Sequence, residues 1–200
     1  MVAPERRGRG PRGWLWLIVV AAPIGMAATV IQIVERIALA ENPRATFICD
    51  INGTFSCGNV LTAWQSSVFG PIPNAAIGLT VFTVMLTTAA GALLGAQLSR
   101  LAWGVAAFFA AFMAGFVLWF LTETTFSIQK VCLYCLVIGT MVLAINLAIW
   151  RVGFGLGFLD DGNRLLTTAG WLVRGGTDLV IWLGLGVVVA AMMLAGFQLN

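Results

Sequence analysis

Four cysteines fall into two pairs, Cys49 with Cys57 and Cys132 with Cys135, in a chain of 200 residues that contains no histidine. Imidazole catalysis is excluded, and the thiols are the side chains left to do chemistry. The two pairs differ in kind. Cys132-Leu133-Tyr134-Cys135 sets two thiols on one face of a helix start, where a disulfide closes too short a loop to stabilise much. Such a spacing suits reversible redox exchange. The Cys49–Cys57 loop is longer, and Asn52 with Gly53 supply a turn that lets the Cα atoms approach the ~5.5 Å of a disulfide. For this pair a structural staple and a redox couple both remain open. Unpaired N–H groups at a helix N-terminus and the charge of Lys130 favour thiolate over thiol at the CxxC pair. A depressed pKa is expected at Cys132, read as the more exposed of the two.

The elements that must position these thiols are membrane helices. Hydrophobic residues make up 60% of the chain, and a bilayer core about 30 Å thick needs roughly 20 apolar residues per helix. Five uncharged segments meet that length: Trp14 to Val34, Ala75 to Ala96, Leu101 to Leu121, Val131 to Trp150 and Leu179 to Phe197. Lipid offers a bare backbone no hydrogen-bond partner, so segments of this length are helices. The expected fold is an all-α integral membrane bundle of five transmembrane helices, a four-helix catalytic core plus one, with a short interfacial helix in the first outer loop. A basic N-terminus (1–13) would precede a redox core (14–150, with its outer loop at 35–74), then a cytoplasmic connection (151–178) and the fifth helix (179–200).

Basic residues give the direction. Arg6, Arg7, Arg9 and Arg12 precede the first span, and alternation places Arg100, Arg151, Arg164 and Arg174 on the same side, eight of the eleven basic residues. The positive-inside rule then makes that side cytoplasmic, and nothing suggests a nucleic-acid surface. All four cysteines fall on the outer side, where disulfides persist. An Ala38-Leu39-Ala40 stretch resembles a signal-peptide cleavage site. The apolar run before it is 21 residues long and Glu35-Arg36 interrupts the approach, so an uncleaved first span is expected.

Secondary features read more simply. Val60, Leu61, Trp64 and Val68 describe an amphipathic surface helix that begins at Cys57 and stops at Gly70-Pro71, placed to cover Cys132 and an apolar cavity. Gly91-xxx-Gly95 reads as close helix packing. The glycines at 153, 155 and 157 follow a membrane helix rather than a strand, which argues for an interfacial turn over a phosphate loop.

Taken together, Cys49-Asp50, Cys57, Asn74-Ala75-Ala76-Ile77-Gly78 and Cys132-Leu133-Tyr134-Cys135 resemble the vitamin K epoxide reductase family over about Trp14 to Trp150. The bacterial DsbB-type oxidases carry their CxxC in the first loop, so this order favours the former family, as a bacterial homologue without a fused thioredoxin-like domain. The resemblance implies a relay. Cys135 would face a quinone of menaquinone or ubiquinone type, Cys132 would exchange with Cys57, and Cys49 with Cys57 would take electrons from a separate periplasmic DsbA-like thioredoxin-fold protein. Asn74 would hydrogen-bond the quinone carbonyl, or alternatively cap the second span. Gly139 stands where animal members carry tyrosine, which argues against phenol-assisted epoxide reduction. A DsbA-type partner at about −120 mV is reoxidised only by an acceptor of comparable or higher potential, which favours disulfide formation over epoxide reduction. The expected location is the bacterial inner membrane, multi-pass.

Two other classes compete. A metal site built from four cysteine thiolates would use short paired spacings, and Cys49 to Cys57 is C-x7-C; no metal is expected. A transporter would show charges or breaks within its spans, and the five segments carry no charge.

Overall fold

In the first helix Leu15, Ile18, Ala22, Gly25, Thr29 and Gln32 recur at spacings of three and four, and all are buried. One stripe therefore faces the bundle while Trp16, Val20 and Val34 face outward. The computed structural model describes residues 10–51, 54–155, 170, 173 and 175–198. Its helices are α1 (Gly10–Glu41), α2 (Cys57–Thr62), α3 (Asn74–Leu93), α4 (Arg100–Glu123), α5 (Leu133–Gly155) and α6 (Thr177–Gln198). A 3-10 turn, Trp64–Ser67, follows α2, and a π-helical turn, Thr124–Ile128, prolongs α4.

The fold is an all-α membrane bundle. Helices α1, α3, α4 and α5 are long and apolar enough to cross a bilayer, and α6 is a further apolar helix. Helix α1 packs against α3 and α5, and α4 packs against α5. Small residues allow the close approach that membrane helices need: Ala106, Ala107, Ala110 and Ala114 line the buried face of α4. A Cβ at Gly25 would lie 2.3 Å from the Phe82 ring, so glycine is required where α1 meets α3.

Several boundaries differ from the sequence reading. Helix α1 does not stop at Val34 but runs to Glu41, through Glu35, Arg36 and the Ala38–Ala40 stretch. Arg36 is accommodated because its guanidinium donates to Leu61 O at 3.2 Å and to Ser66 Oγ at 2.6 Å. The loop after α1 therefore begins near Asn42 rather than at 35. The surface helix is shorter than expected. It ends at Thr62 and hands over to the 3-10 turn, so Val60 and Leu61 are buried while Trp64 and Val68 point outward. Gly91-xxx-Gly95 is not a packing motif. Gly95 lies beyond α3 at φ +97°, and the bonds Ala96 N to Gly91 O (2.9 Å) and Gly95 N to Ala92 O (3.2 Å) close the helix as a Schellman cap. The Asn52-Gly53 turn and most of the 151–178 connection lie outside the described residues.

Candidate active site

Asp50 organises the first cysteine loop. Its carboxylate accepts from Phe47 N at 3.0 Å, from Ser56 Oγ at 3.0 Å and from Gly58 N at 3.2 Å. The last of these donors is one of the unpaired N–H groups at the start of α2. Burial pushes the Asp50 carboxyl up, but these hydrogen bonds outweigh it and hold it below the usual aspartate value. Cys49 and Cys57, on either side of this knot, form a disulfide with a Cα separation of 5.7 Å.

The second pair reaches the first through the backbone. The π turn ends at Gln129 in the left-handed conformation (φ 55°), which swings the chain towards the first loop. There Val131 N donates to Thr54 O at 2.8 Å and Ser56 N donates to Val131 O at 3.0 Å. Phe55 and Val131 thus pair as one parallel bridge. Cys57 is two residues from Phe55, and Cys132 follows Val131 directly. Cys49, Cys57, Val60 and Cys132 consequently share one buried cluster, against which Cys135 packs.

Cys132 and Cys135 are free thiols. Cys132 precedes α5, and Cys135 lies in its first turn. The exposure order is the reverse of that expected: Cys132 is 1% exposed, and Cys135 is the more accessible. Burial follows from the bridge at Val131, which no helical pattern announces. Cys132 is nevertheless held below the ordinary thiol value. The Cys135 thiol donates to it first, burial opposes, and the Cys135 N–H, the Gln32 amide and the Tyr134 N–H add to the lowering. The helix N-terminus acts as expected, with hydrogen bonds rather than the charge of Lys130 as its instrument.

Gln32, on α1, escaped the sequence reading. Its Nε2 donates to Cys135 Sγ at 2.9 Å and reaches Cys132 Sγ at 3.4 Å. A buried amide bridging both sulfurs of a CxxC pair favours the thiolate form of either. One signal was available, because Thr29, Gln32 and Glu35 recur every third residue within an otherwise apolar run.

A cavity opens beside Cys135, with Met113, Phe116, Val117, Phe120 and Leu121 of α4, Ile138 of α5 and Val60 and Leu61 of α2 among its walls. Asn74 and Gln32 also line it. Asn74 is not the N-cap of α3, a position held by Pro73. Its side chain instead fastens the cover, donating to Gln65 O at 2.6 Å and accepting from Val68 N at 3.2 Å. An amide carries two N–H bonds, and Gln65 O takes one of them. Gln65 Nε2 donates to Glu123 Oε2 at 3.0 Å. Through Arg36, Asn74 and Gln65 the cover is thus tied to α1, α3 and α4. The cavity is thus walled mainly by apolar side chains, with the Asn74 and Gln32 amides and the Cys135 sulfur at its edge. Gly139 is buried near Val117, whose Cγ1 lies 3.1 Å from where a Cβ would stand, so a larger residue here would have to displace the Val117 side chain by a few tenths of an ångström.

Among the described residues the metal-sized cluster is Glu35, Cys49 and Cys57 rather than the four cysteines. Two of its three ligand atoms are bonded to each other as the disulfide.

A helical membrane bundle that gathers an oxidised and a reduced cysteine pair beside an apolar cavity is a thiol-redox protein of the membrane. The sequence model of the Vitamin K epoxide reductase family matches residues 16–150, and the chain belongs to that family. Family membership makes it a multi-pass membrane oxidoreductase linked to quinone or vitamin K. No curated protein matches the chain significantly.

Proposed function

We propose that the protein is a thiol:quinone oxidoreductase that reoxidises a periplasmic thioredoxin-fold partner, reduces a lipid quinone of menaquinone or ubiquinone type, and so supports disulfide formation. One observation carries the reading: an intact Cys49–Cys57 disulfide lies in the same buried cluster as the reduced Cys132, while Cys135 opens onto an apolar cavity. The partner dithiol reduces Cys49–Cys57 through Cys49. Cys57 then exchanges with Cys132, and the CxxC dithiol passes two electrons and two protons to the quinone, giving quinol and the Cys132–Cys135 disulfide. Asn74 orients the ring by its remaining amide N–H, and Gln32 favours the thiolate that starts the transfer. The cysteine face is periplasmic and the N-terminus cytoplasmic, as the basic residues dictate.

Epoxide reduction is the second reading within the family. Gly139 and the space around it argue against it, because no phenol stands there to assist ring opening.

The test uses purified protein in lipid with reduced DsbA-type partner and a soluble quinone analogue. Partner oxidation should match quinol formation, and a partner whose second active cysteine is replaced by serine should open the Cys49–Cys57 disulfide and accumulate linked to Cys49. Partner dithiol that stays reduced while the protein turns over vitamin K epoxide would contradict the proposal.

A further inference from the structure

Glu35 is a carboxyl inside a membrane helix, 8% exposed, with both oxygens 4.0 Å from Cys49 Sγ. A disulfide sulfur has no hydrogen to give. Among the described residues, no N–H or O–H donor lies within hydrogen-bond reach of Glu35, and its neighbour Arg36 is committed to Leu61 and Ser66. Ionisable groups inside a membrane bundle are costly, and one kept without a partner marks a functional position. We propose that Glu35 is the proton carrier for Cys49, holding a proton while Cys49 is in the disulfide and giving it to Cys49 on reduction. This deepens the proposed function and rests on it.

An external dithiol attacks Cys49, breaking the Cys49–Cys57 bond and releasing Cys57 as thiolate. The second external thiolate then closes its own disulfide and releases Cys49, whose sulfur takes the Glu35 proton and leaves a carboxylate hydrogen-bonded to the new thiol. Two electrons have entered, and the two protons of the external dithiol have passed to water. Cys57 next attacks the Cys132 sulfur of an oxidised Cys132–Cys135 pair, releasing Cys135. Finally Cys49 returns its proton to Glu35, attacks Cys57, restores the first disulfide and releases Cys132. Glu35 ends as it began, and the electron pair rests on Cys132 and Cys135 for the quinone.

The other titratable groups facing this carboxyl are Asp50 from the loop, with Tyr134 and Cys135 from α5 and the two disulfide sulfurs. Asp50 is fully engaged by its own donors, so the sulfur of Cys49 is the nearest group able to exchange a proton with Glu35.

Infrared redox-difference spectroscopy on the full chain in lipid, with Cys132 and Cys135 replaced by serine, tests the proton directly. Reduction by a soluble dithiol should remove a protonated-carboxyl C=O band, and Glu35→Gln should abolish that change. An unaltered carboxyl signal on reduction, or the same band loss in Glu35→Gln, would overturn the proposal. Single-turnover oxidation of the fully reduced chain by a quinone analogue supplies the kinetic arm. Its first phase uses Cys132 and Cys135, and its second requires exchange with Cys49 and Cys57. In Glu35→Gln the ratio of second to first rates should fall about 100-fold, with Glu35→Asp partly restoring it; an unchanged ratio would count against Glu35. No quinol in either phase from the unsubstituted chain would refute the quinone reading, leaving the infrared result to decide Glu35.

Discussion

Phe55 and Val131 pair through a parallel backbone bridge, and this contact between residues far apart in sequence holds the Cys57 segment against the Cys132 segment. Cys57 and Cys132 are therefore the sulfurs expected to exchange under the proposed function. In a chain with Cys49→Ala and Cys135→Ala, mild oxidation should yield a Cys57–Cys132 disulfide, detected by peptide mass spectrometry. The pair Cys49→Ala with Cys132→Ala should give far less of a Cys57–Cys135 link. Equal yields would show that the bridge does not select the partners.

Gln32 adds to the hydrogen bonds from Cys135 that lower the Cys132 thiol. Replacing it with leucine keeps the volume and removes the donor shared by Cys135 and Cys132. The alkylation midpoint of Cys132, which should lie below the ~8.5 of a free thiol, should rise in the variant. The lowered value means that the thiolate persists to more acid pH in the parent chain, so quinol formation should fall most in the variant below neutrality. A hydrogen bond to a charged group is worth about 1.5–3 kcal/mol, so the rate loss should be on the order of tenfold or more.

What the sequence revealed and what it hid have a common cause. The Cys49–Cys57 pairing, the start of the cover at Cys57 and the existence of the apolar helices follow from local spacing, whereas the end of α1 and the length of the cover do not. Glu35 was hidden because spans were bounded by the first charge, whereas α1 runs on through it to Glu41 with Arg36 received by Leu61 and Ser66; Gln32 was hidden because a lone amide within an apolar span does not announce its partner. The burial of Cys132 depends on the π turn at Thr124–Ile128 and on Gln129 at positive φ, and neither has a local signature. Trp64 points outward because the helix breaks at Ala63, a change from α to 3-10 winding that alters the face without altering the apolar pattern.

Asp50 should control how readily the first disulfide is reached. Its folded value is lowered, so its contribution is present above the unfolded value of ~3.9 and is lost as pH falls through the folded one. Asp50→Ala should cost about 2 kcal/mol of local stability, or roughly 30-fold faster cleavage of Cys49–Cys57 by a water-soluble phosphine at neutral pH. The acceleration expected of the parent in acid should vanish in Asp50→Asn. A parent whose cleavage rate is flat through the acid range would contradict this role.

Helix α6 is anchored by an ion pair to α5. Arg151 Nε donates to Asp178 Oδ2 at 2.8 Å, its second nitrogen contacts Oδ1, and its guanidinium lies 4.7 Å from the Trp14 ring centroid. The side chains are 13% and 12% exposed, so removing one partner strands a buried charge at a cost of about 3–5 kcal/mol. Asp178→Ala should lower the thermal transition while a chain carrying both Arg151→Met and Asp178→Leu recovers most of it. Equal stability of single and double variants would show that the pair does not hold α6.

The account depends on two cysteine pairs acting as one path to a quinone, and electron counting tests this directly. The fully reduced chain, mixed anaerobically with excess menaquinone analogue and no other thiol, should yield two quinols per chain from its four cysteines. One quinol is expected when Cys49 and Cys57 are both alanine, and none when Cys135 is. Two quinols from the chain lacking Cys49 and Cys57, or undiminished yield from Cys135→Ala, would contradict it.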